Sequence, residues 1–299
     1  MHAHCIHVFI ERIRAMIPDA EALFSAEQEW QSIRVNLLKI GRDELVERLH
    51  EQFEVKPIPW CEYGLFVRGN IAKMLEYFLG YYHIQGASSM LPPLALEPET
   101  QEMVLDMCAA PGSKTTQMAM VMERGIVVAN DVNIKRLRAL SHNIQKSGAT
   151  NCIITNYDAR FMYKQGFKSR AILLDAPCTA SGRIIKDKHR LDQWNYHRIQ
   201  HMSNVQKMLI RSACECLEKD GVLVYSTCSL EPEENEEVIA YALERFDVEI
   251  EPLSFTGIRT RPGLTSWQGR RYEGLERAVR VWPQDNGTEG FFICKLRKY

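Results

Sequence analysis

From Met103 onward the chain alternates short apolar runs with amphipathic stretches. Residues 103–108 (MVLDMC) form an apolar run that ends before the Pro111–Gly112 turn, followed by a helical pattern over Lys114–Met122 and a second apolar run over Ile126–Asp131. The rhythm predicts helix Ile134–Lys146, strands Cys152–Thr155 and Ala171–Asp175, helix His201–Leu217, strand Val222–Ser226 and helix Glu234–Phe246. Strands alternating with helices of this length predict a mainly parallel sheet with helices on both faces. Gly290–Lys295 (GFFICK) reads as a last, antiparallel edge strand.

Before residue 75 the pattern changes. Helical periodicity at Ile6–Met16 and Glu44–Phe53, with short strand patterns at Ser32–Leu38 and Gly64–Val67, predicts a small α+β domain. The expected division is 1–75 for this accessory domain and 76–299 for the α/β domain. No internal repeat is visible. The acidic run Glu231–Glu237 follows the helix-starting Pro232, where carboxylates favour the helix dipole.

The chain has 299 residues, 45% of them hydrophobic, enough for one full-sized core and a small satellite. No apolar run nears the roughly 20 residues of a membrane span, and the N-terminus carries His2, His4, His7, Glu11, Arg12 and Arg14 instead of a signal core. A cytoplasmic protein without membrane partners is expected, with a monomer as the default. Nine cysteines, odd in number and widely spread, predict reduced thiols. Cys214 and Cys216 point apart on a helix, so no metal site is expected.

The formal net charge of −1 hides an asymmetry: residues 1–103 hold 9 Lys and Arg against 15 Asp and Glu, and the remainder holds 28 against 23. A polyanion should meet the C-terminal part. Between Arg183 and Arg211 lie Lys186, Lys188, Arg190, Arg198 and Lys207 against Asp187 and Asp192, interleaved with Trp194, Tyr196 and three histidines. This suits nucleic acid, although a solvated helix face has the same composition.

In a doubly wound sheet ligands sit beyond the carboxyl ends of the strands. The first strand delivers Asp106 and then Cys108, Ala109, Ala110, Pro111, Gly112, Ser113 and Lys114, small residues that let a ligand approach the backbone. The next strands end at Asp131, near Asp158 and at Asp175, a cradle for a nucleoside. The loop lacks both glycines that a P-loop needs around Cys108 and Ser113, and a dinucleotide fingerprint fails for want of glycines. An adenosine ligand without a triphosphate remains, and S-adenosyl-L-methionine is one.

Two thiols, Cys178 and Cys228, follow the strands ending at Asp175 and Ser226. Most free cysteines are small buried hydrophobes, but two at adjacent strand ends beside a carboxylate suit carbon-5 methylation of a pyrimidine. That carbon becomes nucleophilic only after a thiolate adds to carbon 6, and a base must then take the carbon-5 proton. A carboxyl such as Asp175 could stabilise charge developing on ring nitrogen 3.

DMCAAPGSKTTQ (Asp106–Gln117), DAPCTASG (Asp175–Gly182), YSTCSLEPEENE (Tyr225–Glu236), HIQGASSMLPPLAL (His83–Leu96) and GTEGFFICKL (Gly287–Leu296) together resemble the Sun-type (NOL/NOP/Sun) RNA cytosine-C5 methyltransferases. The resemblance runs from about Arg34 to the end and is strongest to compact archaeal tRNA enzymes. It implies a Rossmann-like class I methyltransferase sheet of seven strands and an RNA-binding N-terminal part. It makes Cys228 the nucleophile on carbon 6 and Cys178 the group that assists proton removal and product release. Cys108–Lys114 would line the cofactor, with Asp131 at its ribose, Asp158 at its adenine and Arg136 in support. Asp175 would sit between cofactor and base, and Lys114 would touch the cytosine. Two departures stand out: Gly86 replaces a frequent Glu, and no separate PUA-type domain is visible.

The implied substrate is RNA, with tRNA first and ribosomal RNA second, its target base unstacked. Arg270, Arg271, Arg277 and Arg280 join the Arg183–Arg211 stretch as candidate phosphate contacts. Two competitors are a cysteine hydrolase using His142, His189 or His201, which leaves the thiol pair and the acids unexplained, and an RNA-binding protein without chemistry, which leaves both cysteines unexplained.

Overall fold

The computed structural model describes residues 2–184, 187, 191 and 194–299, with side chains from residue 6 onward. In the N-terminal part, strands β1 (Gln31–Val35), β2 (Glu54–Ile58), β3 (Cys61–Arg68) and β4 (Tyr82–Ile84) form an antiparallel sheet ordered β2-β3-β1-β4. Alternation places Ile33, Val35, Leu65 and Val67 on one core with Leu45 and Leu49 of helix Arg42–His50. The first helix, His2–Met16, goes elsewhere: Phe9, Ile13 and Met16 join the core of the large sheet.

The large sheet is built from β5 (Met103–Asp106), β6 (Ile126–Asn130), β7 (Cys152–Thr155), β8 (Ser169–Asp175) and β9 (Leu217–Thr227). To these it adds β10 (Val248–Glu251), β11 (Arg261–Pro262), β14 (Val279–Val281) and β15 (Phe291–Lys298). β12 (Ser266–Trp267) and β13 (Arg270–Arg271) form a small ladder of their own. The order is β11-β14-β15-β9-β8-β5-β6-β7, with β10 also on β15. β7-β6-β5-β8-β9 pair in parallel and β15 runs antiparallel to β9. The chain winds outward through β5, β6 and β7 and then inserts β8 on the other side of β5. This switch point lies between the ends of β5 and β8, where a ligand crevice is expected.

Seven strands were expected and nine are found among the described residues; β11 and β14 are two and three residues long, too short for a periodicity to register. Gly290–Lys295 is antiparallel but not at an edge, because β10 and β14 cover the far side of β15. The helix expected from His201 begins at Tyr196, where the Asn195 side chain accepts from the His197 N–H at 2.8 Å and caps it. Among the described residues no helix is long and apolar enough to cross a membrane.

Candidate active site

At the switch point, β5 ends on buried Asp106 and the chain turns through Cys108–Gly112 into helix Ser113–Val121. Gly112 sits at φ +106°, and a Cβ there would stand 2.8 Å from Leu140 Cδ1, so the turn and its close packing both call for glycine. Thr115 donates its hydroxyl to Asp106 at 2.7 Å, yet burial dominates and pushes that carboxyl up to about 7. Lys114, one residue into the helix, turns its ammonium across the crevice to Asp175 Oδ2 at 2.7 Å and Ser89 Oγ at 2.8 Å. Ser226, at the end of β9, donates to Asp175 Oδ1 at 2.8 Å. Three adjacent strand ends are thereby tied to one carboxylate.

The thiols lie beyond those ends. Cys178 Sγ and Cys228 Sγ are 3.4 Å apart. Their loops are laced together: Gly182 N–H donates to Cys228 O at 2.9 Å, Gly290 N–H donates to Gly182 O at 2.8 Å, and a Cβ on Gly182 would lie 2.5 Å from Gly290 O. Buried Glu234 spans both loops, accepting from Thr179 N–H at 2.9 Å, Ser229 Oγ at 2.7 Å and Gln206 Nε2 at 2.9 Å, and from the Thr179 hydroxyl. Asn235 accepts from Thr227 Oγ1 at 2.6 Å and donates to Ser229 O at 2.9 Å, clamping both neighbours of Cys228.

The pair is electrostatically uneven. The hydrogen bond from Cys178 pulls the Cys228 pKa below the usual thiol value, helped by Arg183 and Lys114 against burial and Asp175. The same bond, with burial and the charge on Cys228, pushes Cys178 up. Burial, joined by Asp106, Asp131 and Asp175, likewise pushes Cys108 up. Cys228 is therefore the thiol readiest to ionise, with Cys178 as its proton-bearing neighbour.

The outer strand ends are arranged differently. Asp131 is buried, accepting from Asn133 N–H at 2.8 Å and Ala110 N–H at 3.3 Å, with Arg136 Nη1 at 3.3 Å. Arg136 also donates to Ala110 O. Asp158 caps its own short helix and is forked by Arg160 Nη2 at 2.6 Å, a hydrogen bond that holds its carboxyl below the usual range. Asn130 joins the two turns, with its amide on Tyr157 O at 3.0 Å. Val132 and Tyr157 stay 61% and 42% exposed between them, a solvent-facing apolar shelf.

A cavity of about 360 Å³ collects Cys108, Ala109, Ala110, Pro111, Ser113, Lys114, Asp175 and Cys228. Cys178 does not line it but contacts Cys228, which does, and Gly112, Asp131, Arg136 and Asp158 also lie outside its wall. Ser89, Glu289 and Phe291 line it without having been singled out from sequence as site residues, and so does Arg183, read from sequence as a candidate phosphate contact. Glu234 and Asn235 escaped because their run reads as helix-dipole acids. Glu233 and Glu234 stand in the first turn of the short helix Pro232–Glu234 and Glu236 and Glu237 in that of the next, but Glu231, Glu233 and Glu234 are also buried and bound to distant partners.

Several candidate RNA contacts are reassigned. Arg280 is buried and forks Glu236 at 2.6 and 2.5 Å, so it cannot face phosphate. Trp194 is buried, its indole donating to Glu231 at 2.8 Å, so it offers no stacking face. Arg198, Arg211, Arg270, Arg271 and Arg277 are exposed. Lys186, Lys188, His189, Arg190 and Asp192 lie outside the described residues. No histidine among the described residues lines the cavity and His142 and His201 are exposed, which removes the support for a cysteine hydrolase.

Comparison with known proteins agrees with this geometry. Residues 93–297 match the family described as 16S rRNA methyltransferase RsmB/F, and residues 7–87 match the N-terminal domain of 16S rRNA methyltransferase RsmF. The chain is 40% identical over 273 residues to a tRNA (cytosine(49)-C(5))-methyltransferase of Pyrococcus abyssi, covering 89% of this chain and 88% of that one. It is 36% identical over 312 residues to ribosomal RNA small subunit methyltransferase F of Shewanella piezotolerans, covering 99% of this chain but only 64% of the relative's length. Among solved structures, a methyltransferase homologue from Pyrococcus horikoshii superimposes with a TM-score of 0.82 at 39% identity, covering 94% of this chain and 89% of that one. NSun6 from the same organism, solved with SFG, gives 0.85 at 26% identity, covering 98% and 97%.

Proposed function

The chain belongs to the 16S rRNA methyltransferase RsmB/F family, and from that premise we propose that it methylates carbon 5 of a cytosine in RNA through a covalent bond from Cys228 to carbon 6. The observation that carries this reading is the thiol pair, 3.4 Å apart, with the pKa of Cys228 lowered beside Lys114 and Arg183. The methyl donor is S-adenosyl-L-methionine, which supplies an electrophilic methyl group. The residues fit such a ligand: a loop of small residues at Cys108–Gly112, an acid at Asp131 facing that loop, and the apolar shelf of Val132 and Tyr157 for a flat heteroaromatic ring. Asp131 would take the ribose hydroxyls with Arg136 in support, and Asp158 the adenine amine once Arg160 gives way.

The Cys228 thiolate bonds to carbon 6, and the electrons of the 5,6 double bond move to carbon 5, which becomes the nucleophile to which bound S-adenosyl-L-methionine would give its methyl group, its sulfur–methyl bond breaking to leave a neutral thioether. Cys178 holds a proton against the Cys228 sulfur before attack; once Cys228 is bonded to carbon 6 Cys178 gives that proton to solvent, and after methyl transfer its thiolate helps take the carbon-5 proton, so that the double bond re-forms and Cys228 leaves as a thiolate. Lys114 supplies a cation that offsets the negative charge developing on the ring, and Asp175, held by Lys114 and Ser226, acts there by sharing a proton with ring nitrogen 3. The antiparallel sheet β1–β4 is assigned to RNA capture; it already touches the catalytic helix through Arg34, which donates to Ser113 O at 3.1 Å and Thr116 Oγ1 at 2.7 Å.

We favour tRNA over ribosomal RNA, because the chain is 40% identical to the archaeal tRNA relative and 36% identical to the rRNA relative. Incubating the protein with methyl-labelled S-adenosyl-L-methionine and either unmodified tRNA or 16S rRNA, followed by nucleoside digestion, tests this. Label in tRNA 5-methylcytidine supports the reading; label in rRNA alone moves the substrate; absence of 5-methylcytidine from both overturns the activity.

A further inference from the structure

Three carboxylates line the cavity: Asp106, Asp175 and Glu289. Asp106 is fully buried and bound to Thr115. Both oxygens of Asp175 are taken by Lys114 and Ser226. Glu289 differs: Thr288 Oγ1 donates to its Oε2 at 2.8 Å, while Oε1 receives no hydrogen bond from any described residue. This carboxylate is only 5% exposed, so the free acceptor faces the cavity and not bulk water.

Its position is specified by two contacts distant in sequence. β15 pairs antiparallel with β9 up to Phe292 against Thr227, the residue before Cys228, so Glu289 lies three residues beyond the last pair, where Gly290 packs on Leu230. A Cβ at Gly86 would lie 1.3 Å from Glu289 Oε1, so glycine at 86 makes room for the carboxylate. A buried carboxylate accepts hydrogen bonds and donates none. Cytosine presents an amine at carbon 4, where uracil presents a carbonyl oxygen that a carboxylate repels.

We propose that Glu289 selects cytosine by accepting from the exocyclic amine of the target base, with Gly86 as the vacancy that lets it do so. The proposal rests on the activity inferred above and assigns the base specificity of that same cavity. The test titrates the wild-type protein, Glu289→Gln and Gly86→Ala with CMP, UMP and S-adenosyl-L-methionine, and compares kcat/KM on tRNA carrying cytosine or uracil at the methylated position. The wild type should prefer CMP over UMP by about tenfold or more, Glu289→Gln should bring the ratio close to one, and Gly86→Ala should shift it the same way while cofactor affinity holds. A ratio unchanged in Glu289→Gln overturns the proposal, as does a loss of cofactor affinity in its place. If the wild type methylates no RNA but its CMP preference still depends on Glu289, the activity reading fails and this assignment stands.

Discussion

The carboxyl ends of β8 and β9 and those of β6 and β7 carry reactive or polar groups at equivalent places in one parallel sheet, but they are built differently. At the inner ends, Cys178, Cys228 and Asp175 are held by buried partners: Glu234 on both loops, Asn235 around Cys228, Lys114 and Ser226 on Asp175. At the outer ends, Asp131 and Asp158 meet arginines that are 49% and 39% exposed, next to an open apolar shelf. A thiolate must be generated by neighbours in fixed positions, and only packing fixes them. A partly exposed acid such as Asp158 needs only to be reachable, since the ligand brings its own donors, whereas Asp131 is buried like the inner groups.

Breaking the inner half should therefore cost both fold and turnover, while breaking the half-exposed Asp158–Arg160 pair should cost ligand affinity alone. The largest effect is expected from Cys178→Ala: turnover should fall by roughly a hundredfold or more, with a protein–RNA adduct accumulating on gels, because Cys228 adds but is not released. The same variant sharpens the assignment through pH. Since Cys178 is what holds the pKa of Cys228 down, its removal should move the acid limb of adduct formation to higher pH.

Glu234→Ala comes next. It leaves donors from Thr179, Ser229 and Gln206 unpaired in the interior and should cost roughly 3 kcal/mol in denaturant unfolding. Asp158→Ala is the counterpart on the outer half: its melting temperature should stay within about 2 °C of wild type, as for a half-exposed ion pair, while calorimetry shows weaker cofactor binding. Should Asp158→Ala unfold the protein, or Glu234→Ala leave stability untouched, the contrast between the halves is wrong.

This contrast also explains what could be read from the sequence. β7 falls where its apolar run ends, at Cys152–Thr155, and the helix over Ile134–Ser147 matches its amphipathic period within one residue. The strand-end groups Asp106, Asp131, Asp175 and Cys228 were legible because a parallel strand announces its own end. Their supports were not. Glu234 meets Thr179 across 55 residues and Gly86 meets Glu289 across the whole catalytic sheet, and nothing local marks either pairing. β10 (VEIE) buries only Val248 and Ile250, too few positions to separate a strand from the helix end before it. Arg280 looks like any basic residue until Glu236 closes over it.

The smallest expected effect concerns Asp106. Its carboxyl is pushed up to about 7 from 3.8, mainly by burial, so between about pH 4 and 7 the folded chain holds this proton more tightly than the unfolded chain does. Stability contributed by that proton falls as pH rises through the window. Asp106→Asn should flatten this dependence and gain stability at pH 8, with no gain at pH 4, as read from unfolding curves at both values.

The covalent role of Cys228 is tested most directly by incubating wild type, Cys228→Ala and Cys178→Ala with methyl-labelled S-adenosyl-L-methionine and unmodified tRNA, then measuring labelled 5-methylcytidine and protein–RNA adduct together. The account predicts label with wild type, neither label nor adduct with Cys228→Ala, and adduct with little label for Cys178→Ala. Full 5-methylcytidine formation by Cys228→Ala would contradict it.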